Sequence, residues 1–410
     1  MKNPLLQLAV LCILASADSF GQVKTGADLL FEKHFKLIEG KRVGLVTNHT
    51  AMLSNGKHLA DAIHEDKRTK LVALFGPEHG VRGDAPAGDK ITDAVDSKTG
   101  VPAYSLYGAI NKPTKEMLQD VDVLIYDIQD VGVRFYTYIS TLSYAMEAAA
   151  ENKIPYIVLD RPNPIRGTWV EGFNRDDSLR SFVGLHPIVL ANGMTIGELA
   201  TLYNNEGWLK DGVRADLNVV KMEGWKRTMW YDQTGLKWLA PSPNIPSLDA
   251  AILYPGTCLF EGTNLSEGRG TMKPFENIGA PYIDGAKWAK ALNDEKLKGV
   301  TFVPVEFTPK SIPNMATKPK RLGEKCGGVL VKITDRESLE PVRVGVAMLV
   351  TAKRLYPDSL KWRDRSIDRL SRTPKLRKAI DAGASTENIV EMWKADVEQF
   401  KKVRAKHLLY

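Results

Sequence analysis

Three stretches, Arg42-Val-Gly-Leu-Val-Thr-Asn48, His58 to Glu65 and Lys70-Leu-Val-Ala-Leu-Phe75, decide the fold. The outer two are short apolar runs that read as buried strands, and the middle one has the spacing of a helix. Further on, Val121-Asp-Val-Leu-Ile-Tyr-Asp127 and Ile154-Pro-Tyr-Ile-Val-Leu-Asp160 repeat the strand pattern. A helix near Thr114 to Gln119 is expected before the first of them, and an Ala-rich helix from Tyr138 to Asn152 between the two. Apolar strands alternating with helices imply a parallel sheet covered on both faces. Right-handed crossovers bring the carboxyl ends of those strands to one edge. The expectation is a Rossmann-like α/β domain.

From about Trp238 the texture changes to Pro- and Gly-rich turns, Pro241-Ser-Pro-Asn-Ile-Pro246 and Gly262 to Thr271. Beyond them come a helix near Ile283 to Asn293, strands at Val300 to Phe307 and Gly328 to Ile333, an amphipathic helix from Pro341 to Leu355 and a charged helical tail. The chain therefore divides into an α/β domain over 24–240 and a smaller α+β domain over 241–410, with a cleft between them.

At the start, an apolar run from Leu5 to Leu14 leads to Ala15-Ser16-Ala17, the small-x-small pattern of a signal-peptidase site, so residues 1–17 read as a secretory signal and the protein as periplasmic or secreted. A lipid anchor is the weaker reading, because Leu11 rather than a small residue precedes Cys12. No later stretch is long and apolar enough to span a bilayer. Removing the signal leaves roughly 390 residues, more than one hydrophobic core usually serves. The net charge of +7 is scattered rather than striped, which favours anionic partners but not nucleic acid. Cys258 and Cys326 lack any CxxC spacing and form no disulfide framework; two buried thiols are the default reading.

Open parallel sheets bind ligands beyond the carboxyl ends of their strands. Those ends here carry Asn48-His49-Thr50, Gly76-Pro77-Glu78-His79-Gly80, Asp127 to Arg134, and Asp160-Arg161-Pro162-Asn163-Pro164. Neither GxGxxG nor GxxxxGK[ST] occurs, which argues against nucleotide cofactors, and no cofactor is expected. No GxSxG elbow provides a nucleophilic serine. Glycoside hydrolysis usually needs two carboxyl groups, one protonated and one ionised. Glu78, rigidly mounted in a glycine-bounded turn, suits the general acid. Glu267, in the Glu261-to-Thr271 loop, is the first choice for its partner, followed by Asp127 and Asp130; the alternative for Glu261 or Glu267 is an ion pair with Arg269. A metallohydrolase built on His49, His79 and Asp127 is the competing enzyme reading, although no HExxH occurs, and a non-catalytic sugar receptor is the competing binding reading.

Six motifs in order, Phe75 to Gly83, Asp127 to Tyr138, Asp160 to Pro164, Gly193 to Glu198, Pro241 to Pro246 and Glu261 to Thr271, closely resemble the bacterial exo-β-N-acetylmuramidase family, formerly a domain of unknown function. The resemblance covers nearly the whole chain after the signal. It implies a Rossmann-like domain with a smaller C-terminal one, an active site between them, and release of N-acetylmuramic acid from non-reducing ends of peptide-free peptidoglycan fragments. It carries over Glu78 as catalytic acid, and His79, Asp127, Asp130, Arg134, Asp160, Arg161, Asn163, Asn264, Glu267 and Arg269 as motif positions. The lactyl carboxylate of muramic acid calls for a bidentate cation, which Arg134, Arg161 or Arg269 could supply. Sequence alone leaves open whether the anomeric configuration is retained or inverted.

Overall fold

The structure, a computed structural model, describes residues 22–83, 94–174 and 177–410. The signal segment lies outside these residues. The larger sheet has seven strands: β1 (Arg42–Thr47), β2 (Lys70–Gly76), β3 (Ala94–Val95), β4 (Pro102–Ser105), β5 (Val123–Asp127), β6 (Tyr156–Leu159) and β7 (Leu217–Val220). Their order is β3-β4-β2-β1-β5-β6-β7, and every pairing is parallel except that of β3 with β4. Without the short β3, the six parallel strands run 3-2-1-4-5-6 in chain order, the doubly wound arrangement whose order reverses beside β1.

Helices α1 (Gly26–Glu32), α2 (Leu59–Glu65), α3 (Tyr138–Glu151) and α4 (Ile196–Asn205) cover this sheet. Strand alternation sorts the core into two layers. Val43, Leu45, Val123, Ile125, Ile157 and Leu159 join α1 and α2 on one face. Val46, Leu124, Tyr126, Tyr156 and Val158 join α3 and α4 on the other. That second layer continues without a break into the C-terminal part through α5 (Leu248–Thr257), α6 (Gly285–Asp294) and α7 (Pro341–Leu355). A three-stranded antiparallel sheet, β8 (Asn277–Ala280), β9 (Val300–Phe307) and β10 (Cys326–Ile333), has β10 in the centre. Helices α8 (Asp364–Ser371), α9 (Lys375–Asp381) and α10 (Thr386–Arg404) form the charged tail.

Several bonds tie the two parts together. Glu171, from the α/β part, accepts from the first-turn amides of Val342 and Arg343 at 3.1 and 2.7 Å, capping α7 from outside. Arg404 donates to the carbonyls of Gly167 and Gly193 at 3.1 and 2.7 Å. Both Cys258 and Cys326 are buried free thiols.

Two local expectations change. Thr114 to Gln119 forms turns rather than a helix, with only Leu118 buried deeply, so the segment has too few apolar anchors for a helical face. Strands β4, paired between β3 and β2, and β7, at the opposite edge, were not expected: they carry mixed exposure and lack the continuous apolar run by which the central strands are recognised.

Candidate active site

Beyond Gly76 the chain folds sharply back. A Cβ on Gly76 would sit 2.8 Å from the amide nitrogen of Val81, so only glycine permits the turn. His79, buried at 3% exposure, adopts a φ of 75° within it, the left-handed region that a histidine enters at a cost of about 1–3 kcal/mol. The surrounding packing imposes this backbone, and Glu78 projects from it into a cleft between the sheet edge and the C-terminal part. Tyr107, just after β4, hydrogen-bonds Glu78; burial and the Glu78 charge push its hydroxyl well above the ordinary tyrosine value, so it remains a proton donor.

The inner chamber, about 200 Å³, is walled by Tyr136, Tyr138, Tyr254 and Phe275, with Ser242, Asn244 and Ile245 beside them. The rings meet edge to face: Tyr136 lies 4.7 Å from Tyr138, and Tyr254 lies 4.7 Å from Phe275. The Tyr138 hydroxyl donates to the Pro241 carbonyl at 2.7 Å and fixes the 241–246 loop over the sheet edge. A wider mouth of about 450 Å³ opens outward from the same residues Glu78, Glu261 and Arg269, adding Glu267 and Lys320.

Glycines at 268 and 270, with φ of 78° and 80°, shape the loop that carries Glu267 and Arg269. Arg269 pairs with Glu261 at 2.6 Å and with Glu267 at 3.4 Å. Burial opposes its charge, but these two carboxylates outweigh burial and raise its pKa, so the guanidinium stays charged. Lys320 approaches Glu267 at 2.8 Å and also donates to the Phe260 and Thr263 carbonyls. Glu78, Glu261 and Glu267 thus converge on one cavity, with Arg269 and Lys320 flanking the latter two. This geometry provides a hydrogen-bonded carboxyl group opposite a pair of ion-paired carboxylates, the chemical equipment for acid and base steps at a glycosidic bond.

The remaining expected residues do not line the cleft. Asp127 is fully buried in a two-point ion pair with Arg161, whose Nη2 lies 2.8 Å from Oδ2 and whose Nε contacts Oδ1. The guanidinium contacts both Asp127 oxygens and holds this carboxylate inside the protein rather than at the cleft. Among the described residues no group of three His, Cys, Asp or Glu side chains is placed to hold a metal ion. Arg134, 1% exposed, donates to the carbonyls of Phe173, Ile188 and Leu370 at 2.6, 2.9 and 2.9 Å; burial and then nearby Arg372 lower its pKa to about 9. Asp160 accepts from Gly197 N, Thr195 Oγ1 and Tyr410 Oη at 2.7 to 2.8 Å, capping α4, and burial raises its pKa to about 6. Asp130 accepts from Gly132 N at 2.7 Å and is pushed by burial to about 7. Asn163 bridges Met194 O and Ile165 N. Asn264 bridges Ser359 O, Lys361 N and the Tyr282 hydroxyl.

Sequence reasoning passed over Tyr107, Tyr254 and Lys320. Tyr136, Tyr138, Ser242 and Asn244 lay within the quoted motifs, where their place was visible but their part in the wall was not.

Residues 43–249 match the N-terminal family model of exo-β-N-acetylmuramidase NamZ, and residues 252–410 match its C-terminal model. The chain is 49% identical over 403 residues to the peptidoglycan β-N-acetylmuramidase NamZ of Bacillus subtilis strain 168, covering 97% of this chain and 95% of that protein. Two solved DUF1343 family proteins of Bacteroides fragilis share the fold. One is 41% identical with a TM-score of 0.88, the other 36% identical with a TM-score of 0.79, and each comparison spans 95% of this chain and 99% of the other. On these matches, across the sheet, the Glu78 turn and the Glu261–Arg269 loop alike, the chain belongs to the exo-β-N-acetylmuramidase family of glycosidases.

Proposed function

We propose that this chain releases N-acetylmuramic acid from the non-reducing ends of peptide-free peptidoglycan fragments, with Glu78 as general acid. The observation that carries the reading is the placement of Glu78 at the junction of a small aromatic chamber and a wider mouth. A terminal sugar occupies the chamber, the leaving glycan extends through the mouth, and Glu78 reaches the oxygen between them. Tyr107 orients the Glu78 carboxyl by its hydrogen bond. Glu267 or Glu261 supplies the second carboxylate.

Of the arginines expected to read the lactyl group, Arg269 alone lines the cleft, whereas Arg134 and Arg161 are occupied elsewhere. Arg269 is therefore the residue assigned to the terminal lactyl carboxylate. Export is supported by the Leu5–Ala17 pattern, and sequencing the amino terminus of the protein from fractionated cells tests it.

The deciding experiment incubates the purified chain with the disaccharide MurNAc-GlcNAc and with longer peptide-free and peptide-bearing glycans, following free sugars by mass spectrometry. Free N-acetylmuramic acid is expected as the first product from peptide-free ends. Internal cleavage products, or no hydrolysis, would overturn the reading.

A further inference from the structure

The mouth of the cleft carries cations that the catalytic arrangement does not use. Lys318, Arg363 and Arg369 line it together with Glu78, Glu267 and Lys320, and all three are exposed. Arg363, the N-cap residue of α8, and Ser366 and Arg369 within it follow one another at three-residue spacing and line the opening together. Lys318 faces the same opening from the loop between β9 and β10.

Their electrostatic state differs from that of the cations deeper in. Arg269 and Lys320 are matched by Glu261 and Glu267. On the far side of α8, Arg377 is matched by Asp364 and Asp368. Among the described residues no carboxylate forms a salt bridge with Lys318, Arg363 or Arg369, and the one hydrogen bond from an Arg363 guanidinium nitrogen is a long contact of 3.5 Å to the Glu261 carbonyl. Three positive charges that converge on one opening without salt bridges of their own, where Glu261 and Glu267 are already matched by Arg269 and Lys320, favour an anion there.

We propose that this rim is a second anion subsite, which binds the lactyl carboxylate of the next muramic acid along the leaving glycan. The inference rests on the proposed function. In an alternating glycan, with the terminal muramic acid in the chamber and N-acetylglucosamine following it, the next carboxylate belongs to the third sugar, on the mouth side. Arginine recognises a carboxylate through two parallel charge-assisted hydrogen bonds, and α8 with its N-cap residue presents two such forks beside a lysine. A glycan of four sugars reaches the rim and one of two sugars does not.

The test compares MurNAc-GlcNAc with MurNAc-GlcNAc-MurNAc-GlcNAc at low salt, using wild type, the single variants and the combined variant Lys318→Ala/Arg363→Ala/Arg369→Ala. The wild type is expected to show the lower KM for the tetrasaccharide. The combined variant is expected to raise the ratio of tetrasaccharide KM to disaccharide KM about tenfold. Salt should erode the wild-type preference, since exposed charges are screened, and Arg363→Lys/Arg369→Lys, which keeps the charges but removes the forks, should retain only part of it. A KM ratio that neither the substitutions nor salt changes would overturn the subsite while leaving the proposed function intact. Equal loss on both substrates would also overturn it, by making the rim a general part of the fold. If the wild type cleaves neither glycan, the proposed function fails and the subsite with it.

Discussion

Two sets of acidic side chains stand at the carboxyl edge of the same sheet and are used in opposite ways. At the ends of β5 and β6, Asp127, Asp130 and Asp160 are turned into the protein and held by Arg161, by backbone amides and by the Tyr410 hydroxyl. At the end of β2 and across the cleft, Glu78, Glu261 and Glu267 border open space. Position in the topology is shared, so it does not separate the sets. Access to the cavity does: Glu261 and Glu267 are ion-paired too, with Arg269 and Lys320, but they line the mouth beside Glu78, whereas the three aspartates line neither the chamber nor the mouth.

The largest effect should come from breaking the scaffold set. Arg161→Ala strands the fully buried Asp127 charge, for which a loss of about 3–5 kcal/mol of stability is expected, read from urea unfolding. Adding Asp127→Asn to that variant should recover much of the loss. If Arg161→Ala instead unfolds like wild type, the pair is not structural.

The next effect belongs to the cleft set. Glu78→Gln should lower kcat at least about 100-fold, roughly 2.7 kcal/mol, while substrate binding by calorimetry persists. A nitrophenyl leaving group, which hardly needs protonation, should suffer less. Retained turnover on the disaccharide would remove Glu78 from the acid role.

Arg269→Lys sharpens the boundary inside the cleft, because it keeps a positive charge beside Glu261 and Glu267 but removes the fork. The preference for a muramide over the matching glucosaminide should fall about tenfold, roughly 1.4 kcal/mol. An unchanged ratio of specificity constants would assign the lactyl group to another residue. Tyr410→Phe should cost about 1–2 kcal/mol of stability by deleting the bond to Asp160 and the one accepted from Met222 N, with kcat unaltered.

The last effect is a pH dependence. Asp130 holds its proton to about pH 7 in the folded chain, against an ordinary value of 3.8. Between those values the folded state binds more protons than the unfolded one, so this group's contribution to stability declines as pH rises from about 4 to 7. Asp130→Asn should flatten the change in urea midpoint between pH 5 and pH 8. A variant that tracks wild type over that range would free Asp130 of this part.

The central strands and the Glu78 turn were legible because their signals are local: apolar runs of strand length, and glycines where the chain must reverse. The long helix from Pro341 to Leu355 was legible for the same reason, with proline at its first position and basic residues in its last turn. Arg134, Asp160 and Asn163, read as substrate-binding, instead bond to groups inside the protein and line neither the chamber nor the mouth. Nothing within a motif states whether its polar atoms meet a ligand or a carbonyl from elsewhere in the chain. Arg134 is bonded to Leu370, 236 residues away, and Asp160 to Tyr410, 250 residues away. Tyr107 and Lys320 were missed for the converse reason, since each enters the site from a segment whose own pattern carries no catalytic signal.

The bond from Arg134 to Leu370 has a further consequence. It fastens the sheet domain directly to α8, and Glu171 and Arg404 add fastenings around it. A hinged enzyme closes on its substrate and shows a slow phase in binding; one whose halves are riveted has its cavity shaped before any ligand arrives. Glycan association should accordingly be a single step, with an observed rate that climbs linearly with concentration and shows no plateau.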